Sequence, residues 1–179
     1  MTASKTKSVN MNFPALYSYV INTNYRNAMG VFSIILSIAS LIILVVFWDK
    51  LATGHRILFG SIGLIFTVIN PISLAFKAYK QFKLSPSYKK PLVYTFGDTG
   101  ITVAQGDISQ EITWDMIYRV MLTSKMIAIY TGRMHAFVIP LSELGEEKSK
   151  IITAVVQFTA DYKPILSKNL KEYQSGKGI

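Results

Sequence analysis

The chain of 179 residues contains no cysteine. That removes disulfides, thiolate nucleophiles and Cys-ligated zinc together. Histidine is scarce, and His55 and His135 stand far apart. Two isolated imidazoles offer no metal-ligand spacing, so each reads as a surface or packing residue. Paired carboxylates for acid–base work are missing too. Asp98 and Asp107 fall in turn signals, and Asp115 follows Trp114, where a carboxylate bonds nearby backbone. Gly97-x-x-Gly100 lacks the helix and lysine that a phosphate loop needs, and no Gly-x-Ser-x-Gly elbow occurs. These absences point away from an enzyme, and no cofactor is implied.

The most informative absence is charge. Met29–Trp48 and Ile57–Phe76 are each 20 residues long and hold no Asp, Glu, Lys, Arg or His. At a rise of about 1.5 Å per residue, either run matches the roughly 30 Å hydrocarbon layer of a bilayer. The pattern predicts a transmembrane helical hairpin over 29–76, with spans 29–48 and 57–76. The first run exceeds the roughly 7–15 residues of a signal h-region, and a second span follows at once, so it stays in the membrane. Phe47 and Trp48 end the first span with rings suited to interface depth. Ser33, Ser37 and Ser40 share one helix face, as do Gly60, Gly63, Thr67 and Asn70. Small residues let helices approach closely in lipid, so the two stripes are expected to face each other. Asn70-Pro71 predicts a kink, because proline frees a carbonyl near Thr67.

Acid is unevenly distributed. Residues 1–28 hold Lys5, Lys7 and Arg26 and no acid; residues 77–90 hold Lys77, Lys80, Lys83, Lys89 and Lys90 and no acid. The loop 49–56 carries a net +1, and from Pro91 onward nine bases balance nine acids. The whole excess of +9 therefore flanks the apolar runs. Lysine and arginine crowd the cytoplasmic ends of membrane helices. Both termini are then expected in the cytoplasm, with loop 49–56 outside, in a multi-pass protein of the cell membrane. Nucleic acid is excluded as a partner, because the folded part has no basic surplus. The five lysines are candidate lipid-headgroup contacts, each contributing about 1 kcal/mol near anionic headgroups.

Residues 1–28 read as a tail and an amphipathic juxtamembrane segment. Residues 1–10 resemble a disordered basic tail, and Phe13, Leu16, Tyr17, Val20 and Ile21 form an apolar helix face. Ser85-Pro86 and Lys90-Pro91 mark 77–91 as a basic linker or short helical extension. Beyond it, over 92–174, short runs rich in Val, Ile, Tyr, Phe and Thr alternate with turn chemistry. Leu92–Phe96, Ile101–Ala104, Ile108–Trp114, Tyr118–Thr123, Met126–Thr131 and Met134–Ile139 predict five or six strands of an antiparallel meander. Met116, Met121, Met126 and Met134 fall in or beside them and read as core filling rather than as an adaptable binding surface. Ile151, Val155, Phe158 and Tyr162 then recur with helical spacing, on a helix expected to start near Ser142 or Glu143. Pro164 ends or kinks it, a second helical stretch runs toward Tyr173, and 175–179 form a frayed tail. The fold class is an α+β membrane protein: a transmembrane hairpin, then a small antiparallel meander capped by a C-terminal helix.

Tyr94-Thr95-Phe96-Gly97-Asp98-Thr99-Gly100-Ile101, then Ile112-Thr113-Trp114-Asp115-Met116-Ile117, then Ile129-Tyr130 and Ala136-Phe137-Val138-Ile139-Pro140 resemble the YcxB-like family of bacterial membrane proteins. Gly97 stands where that family more often has an acid, and Leu141-Ser142 where a base often follows. The resemblance implies two adjacent membrane helices and a C-terminal domain like part of a bacterial pleckstrin-homology (PH) fold. It implies no activity. Packing accounts for the shared residues: Gly100 is expected at positive φ, Trp114 and Ile117 against the helix stripe, and Pro140 at the end of the last strand.

The reading is a non-enzymatic membrane-tethered interaction or sensing module. Its partners are membrane lipids and a membrane or cytoplasmic protein, with homo-oligomerisation open. The alternative is an accessory or immunity-type subunit of a transport or export assembly, acting through its hairpin.

Overall fold

The structure is a computed structural model that describes residues 5–133, 135–162 and 164–175. Met134, residues 1–4 of the expected basic tail, and all of the expected C-terminal tail except Ser175 lie outside the described residues. In chain order the main elements are β1 (Lys5–Val9), α1 (Phe13–Tyr25), α2 (Ala28–Val46), α3 (Thr53–Leu64), α4 (Asn70–Leu84), β2 (Leu92–Phe96), β3 (Gly100–Gln105), β4 (Ile108–Thr113), β5 (Arg119–Leu122), β6 (Met126–Tyr130), β7 (Ala136–Pro140), α5 (Lys148–Thr159), β8 (Ile165–Leu166) and α6 (Lys168–Gln174). They form two compact units: Met1–Tyr19 with Phe82–Ile179, and Val20–Gln81.

The first unit is α+β, with two four-stranded sheets instead of one meander. Their orders are β1-β2-β3-β4, antiparallel throughout, and β7-β6-β5-β8, in which β8 runs parallel to β5. Two strands escaped the sequence reading. Residues 5–9, expected to be disordered, pair with β2 in the register Lys7↔Tyr94, and Val9 is buried in the core. Polar Lys-Thr-Lys-Ser hides this strand, because only one of its faces meets apolar groups. Ile165 and Leu166 form β8 directly after Pro164, too short for any periodicity to mark.

The larger core lies among both sheets and the C-terminal helices. Tyr94, Phe96, Ile101, Val103 and Ile112 come from the first sheet, and Val120, Leu122, Ile127, Ile129 and Ile139 from the second. Ile151, Ile152 and Val155 of α5 and Leu170 of α6 join them. A smaller core covers the other face of the second sheet: Met121, Met126, Ala128, Tyr130 and Val138 pack with Ala15, Met11 and Tyr19. Met121 and Met126 are thus core residues, whereas Met116 is 57% exposed.

Trp114 and Ile117 are buried. The Trp114 ring stacks on Phe158 of α5 at 5.1 Å between centroids, and its Nε1 donates to the carbonyls of Gly97 and Asp98 at 3.2 and 3.1 Å. One side chain thereby joins the β2–β3 turn to the helix. Helix α5 starts at Lys148 rather than near Ser142, since Leu141–Glu143 and Gly145–Glu147 are separate 3₁₀ turns. Gly145, at φ 55°, opens the second of those turns. Gly100 does not have the expected positive φ; among the described residues the other glycine that does is Gly106, at φ 60° in the β3–β4 turn. Gly100 is required for closeness instead: a Cβ there would strike the backbone carbonyl of Ile112.

The second unit is a helical hairpin. Helix α2 spans 19 residues, and α3 runs through a π turn, Ile65–Ile69, into α4 as one helical run of 32 residues, Thr53–Leu84. Both are long and apolar enough to cross a membrane. Pro71 has no N–H to offer the Thr67 carbonyl, and the preceding turn widens so that Asn70 N–H donates to Ile65 O. The expected kink therefore takes the form of a π turn. The Arg56 guanidinium lies 4.9 Å from the Trp48 ring centroid, closing the α2–α3 connection.

Two contrasts test this packing. Gly100→Ala should destabilise the fold by roughly 1–3 kcal/mol, as overpacking against backbone does. Gly97→Ala, whose new methyl would sit at an ordinary 3.6 Å from Gly100 O, should leave the melting temperature nearly unchanged. Tyr94 is 1% exposed, and its hydroxyl has no hydrogen-bond partner among the described residues. Burial, aided by Tyr88, raises its pKa above the usual value of 10.0. The folded state thus keeps its proton where the unfolded chain loses one, so stability is flat below pH 10 and falls as pH rises beyond it. Thermal melts of Tyr94→Phe should lose that alkaline decline and gain about 1–3 kcal/mol at neutral pH, where a buried unpaired hydroxyl is removed.

Candidate functional site

Three places hold the polar groups that distinguish this chain. The first is the seam of the helical hairpin. Ser37 is 1% exposed, and its hydroxyl donates to Gly63 O at 3.0 Å. Its oxygen lies 2.5 Å from the Thr67 hydroxyl; with the Ser37 proton already committed, Thr67 is the donor. Ser40 and Gly63 are also buried, and a Cβ on Gly63 would press to 2.7 Å from Leu41 Cγ. Gly60 leaves more room, with Leu44 Cδ2 at 3.7 Å. The structure thus brings Ser37, Ser40, Gly60, Gly63 and Thr67 to the helix–helix contact. The Ser33 hydroxyl donates within its own helix to Met29 O, 2.7 Å away. Asn70 Nδ2 donates to the Tyr25 hydroxyl at 3.2 Å, a partner that no spacing rule relates to it. Beside the π turn, Tyr25, Ile34, Ser37, Phe66, Thr67 and Pro71 line a mainly apolar crevice of about 260 Å³.

The second place is the basic run. Lys77, Lys80 and Lys83 all lie on α4, which continues past the apolar stretch to Leu84. Their spacing puts them on one broad side of the helix. Lys89 and Lys90 follow a 3₁₀ turn, Pro86–Tyr88, and are exposed.

The third was not singled out from sequence. A cleft of about 350 Å³ in the first unit is lined by Asn12, Pro14, Ser124, Lys125, Leu141, Ser142 and Lys148. Asn12 caps α1 by accepting the Ala15 N–H at 3.0 Å, and its amide donates to the Ser142 hydroxyl at 2.8 Å. The Ser124-Lys125 turn is held by Thr123, whose Oγ1 accepts the N–H groups of Lys125 and Met126 at 3.2 and 3.1 Å. Leu141 N–H donates to Lys125 O at 3.0 Å. Spacing gave no signal for it, because Lys148 and Lys150 fall in a first turn without acid only once α5 starts at Lys148. His55 and His135 are both exposed, and among the described residues no three His, Asp or Glu side chains converge as a metal site would require.

In lipid, interhelical hydrogen bonds contribute modestly. Ser37→Ala should weaken the hairpin by about 0.6–1.7 kcal/mol. Gly63→Leu forces bulk against Leu41 and should separate the helices more than that. Unfolding in bicelles, followed by the distance between labels on α2 and α3, measures both.

Comparison with curated proteins finds no match, and comparison with solved structures finds none either. A family model described as YcxB-like protein matches residues 96–154, from the last residue of β2 into α5. That stretch contains Gly100, Trp114 and the doubly covered strand β6, and over it the chain is similar to the YcxB-like family.

Proposed function

We propose that this protein is a non-enzymatic interaction or sensing module tethered by a hairpin that crosses the cell membrane. One observation carries the reading: among the described residues, most of the apolar surface of the hairpin is unburied. Only 17% of the apolar window of α2, and 11% of that in Thr53–Leu84, is buried. Met29, Val45, Ile57 and Phe76 are 65–75% exposed. In water, each large apolar side chain left uncovered forgoes about 1.5–3 kcal/mol. In a bilayer, the same side chains meet lipid at no such cost.

Charge supports an orientation with both termini and the YcxB-like domain in the cytoplasm. Lys77, Lys80 and Lys83 follow the last apolar turn, where an anionic inner leaflet attracts them. The short Trp48–Lys50 turn and His55 would then face outward. Two sheets closed by a C-terminal helix support a PH-like reading of the domain. Lipids and a membrane or cytoplasmic protein remain the partners this reading calls for.

A second reading has its own observation. The Asn70–Tyr25 pair and the crevice beside the π turn put polar groups at a depth where lipid offers them no partner. They favour a hairpin that docks against other membrane helices, as a subunit of a transport assembly would.

The native chain's lack of cysteine makes topology directly testable. Asp49→Cys should react with a membrane-impermeant maleimide in intact cells, and Ser87→Cys only after lysis. The protein should stay in the membrane pellet through alkaline carbonate and leave it in detergent. Recovery in the soluble fraction, or labelling of Ser87→Cys in intact cells, overturns the proposal.

A further inference from the structure

We propose that the cleft between the start of α1, the β5–β6 turn and the segment before α5 binds the phosphate group of a small phosphomonoester. This inference does not depend on the membrane reading, since every residue of the cleft lies in the first unit.

Charge is the first argument. Among the described residues, Lys125 and Lys148 are the charged groups that line the cleft, and no carboxylate lines it. Neither lysine forms an ion pair among the described residues, where the pairs are Lys7–Glu147 and Lys168–Glu172. Of the acids just before Lys148, Glu143 accepts Asn10 N–H at 3.3 Å, Glu147 lies 3.5 Å from Lys7 Nζ, and Glu146 does not line the cleft. Lys148 also sits at the first position of α5, where the helix dipole disfavours a cation. A bound anion relieves both conditions.

Donor geometry is the second. The Ser142 oxygen already accepts from Asn12, which leaves its proton to be donated outward. Ser124 adds another hydroxyl to the lining. Two ammonium groups and two hydroxyls match an oxyanion with three acceptor oxygens and nearly two charges better than a carboxylate with two oxygens and one. The frame is ordered in advance, because Asn12, Thr123 and Leu141 fix the segments that carry these donors. Pro14 and Leu141 supply an apolar wall for the organic part, and about 350 Å³ lies at the lower end of small-molecule sites, about 300–1,000 Å³.

The phosphomonoester has two sources, a soluble metabolite or a phosphatidic acid headgroup. The test uses full-length protein in nanodiscs of neutral phosphatidylcholine, titrated with methyl phosphate and followed by amide resonances. Saturable shifts are expected at Ser124, Lys125, Ser142 and Lys148. Lys125→Gln and Lys148→Gln should each weaken binding about 10-fold or more, as loss of a charged hydrogen-bond donor does. The double arginine variant keeps both charges, and it should bind within about 10-fold of the native protein. Glu146→Gln should change nothing. If discs containing phosphatidic acid shift the same amides and methyl phosphate reverses this, the source is the headgroup; if only methyl phosphate shifts them, the source is soluble. Non-saturating shifts, or shifts that persist in a folded Lys125→Gln/Lys148→Gln variant, overturn the site.

Discussion

Strand β6 is buried along its whole length, and it needs cover on both faces. Met126, Ile127, Ala128, Ile129 and Tyr130 leave no side turned to water. Ile127 and Ile129 meet the first sheet and α5, while Met126, Ala128 and Tyr130 meet Met11, Ala15 and Tyr19. Exposing that second face would uncover several large side chains at about 1.5–3 kcal/mol each. The sum rivals the whole net stability of a typical domain, about 5–15 kcal/mol. The segment before the helical hairpin is therefore part of the domain that follows it. Strand β1 repeats the arrangement on the first sheet, where it forms the outer strand beside β2. In chain order, the hairpin is an insertion between two parts of one fold.

In the bilayer proposed for it, the hairpin is held by different forces from those of the domain. In the domain, removal of apolar surface from water dominates, and polar bonds such as those of Trp114 Nε1 orient the packing. Inside a bilayer that driving force is absent between helices, so close contact and hydrogen bonds must suffice. Gly63 provides the close contact, and Ser37 with Thr67 provides the bonds. The π turn keeps Asn70 N–H satisfied where proline interrupts the ladder.

The stretch that the YcxB-like family model matches, 96–154, covers β3 to β7 and the first half of α5. It contains the Trp114 joint and the two-sided strand, yet not β1 or the start of α1, which complete their burial. Lys125, Leu141, Ser142 and Lys148 of the polar cleft fall inside it, and Asn12 and Pro14 outside. The cleft thus exists only because the N-terminal segment returns to the domain.

Composition alone determined the two apolar helices, since 20 uncharged residues permit few alternatives. Periodicity marked the α5 stripe and the small-residue stripes that hold Ser37, Gly63 and Thr67, because those patterns repeat within one helix. Sequence also marked Gly100 and Trp114, though the glycine serves close approach to Ile112 O rather than a turn. Tertiary structure decided what depends on distant partners. Lys5–Val9 became a strand through pairing with β2, the meander divided into two sheets, and Ser33 turned to its own helix. Asn12, Lys125 and Lys148 gathered at one cleft although no spacing relates them. Local pattern reports which face of an element is apolar; only the packed chain determines what covers that face.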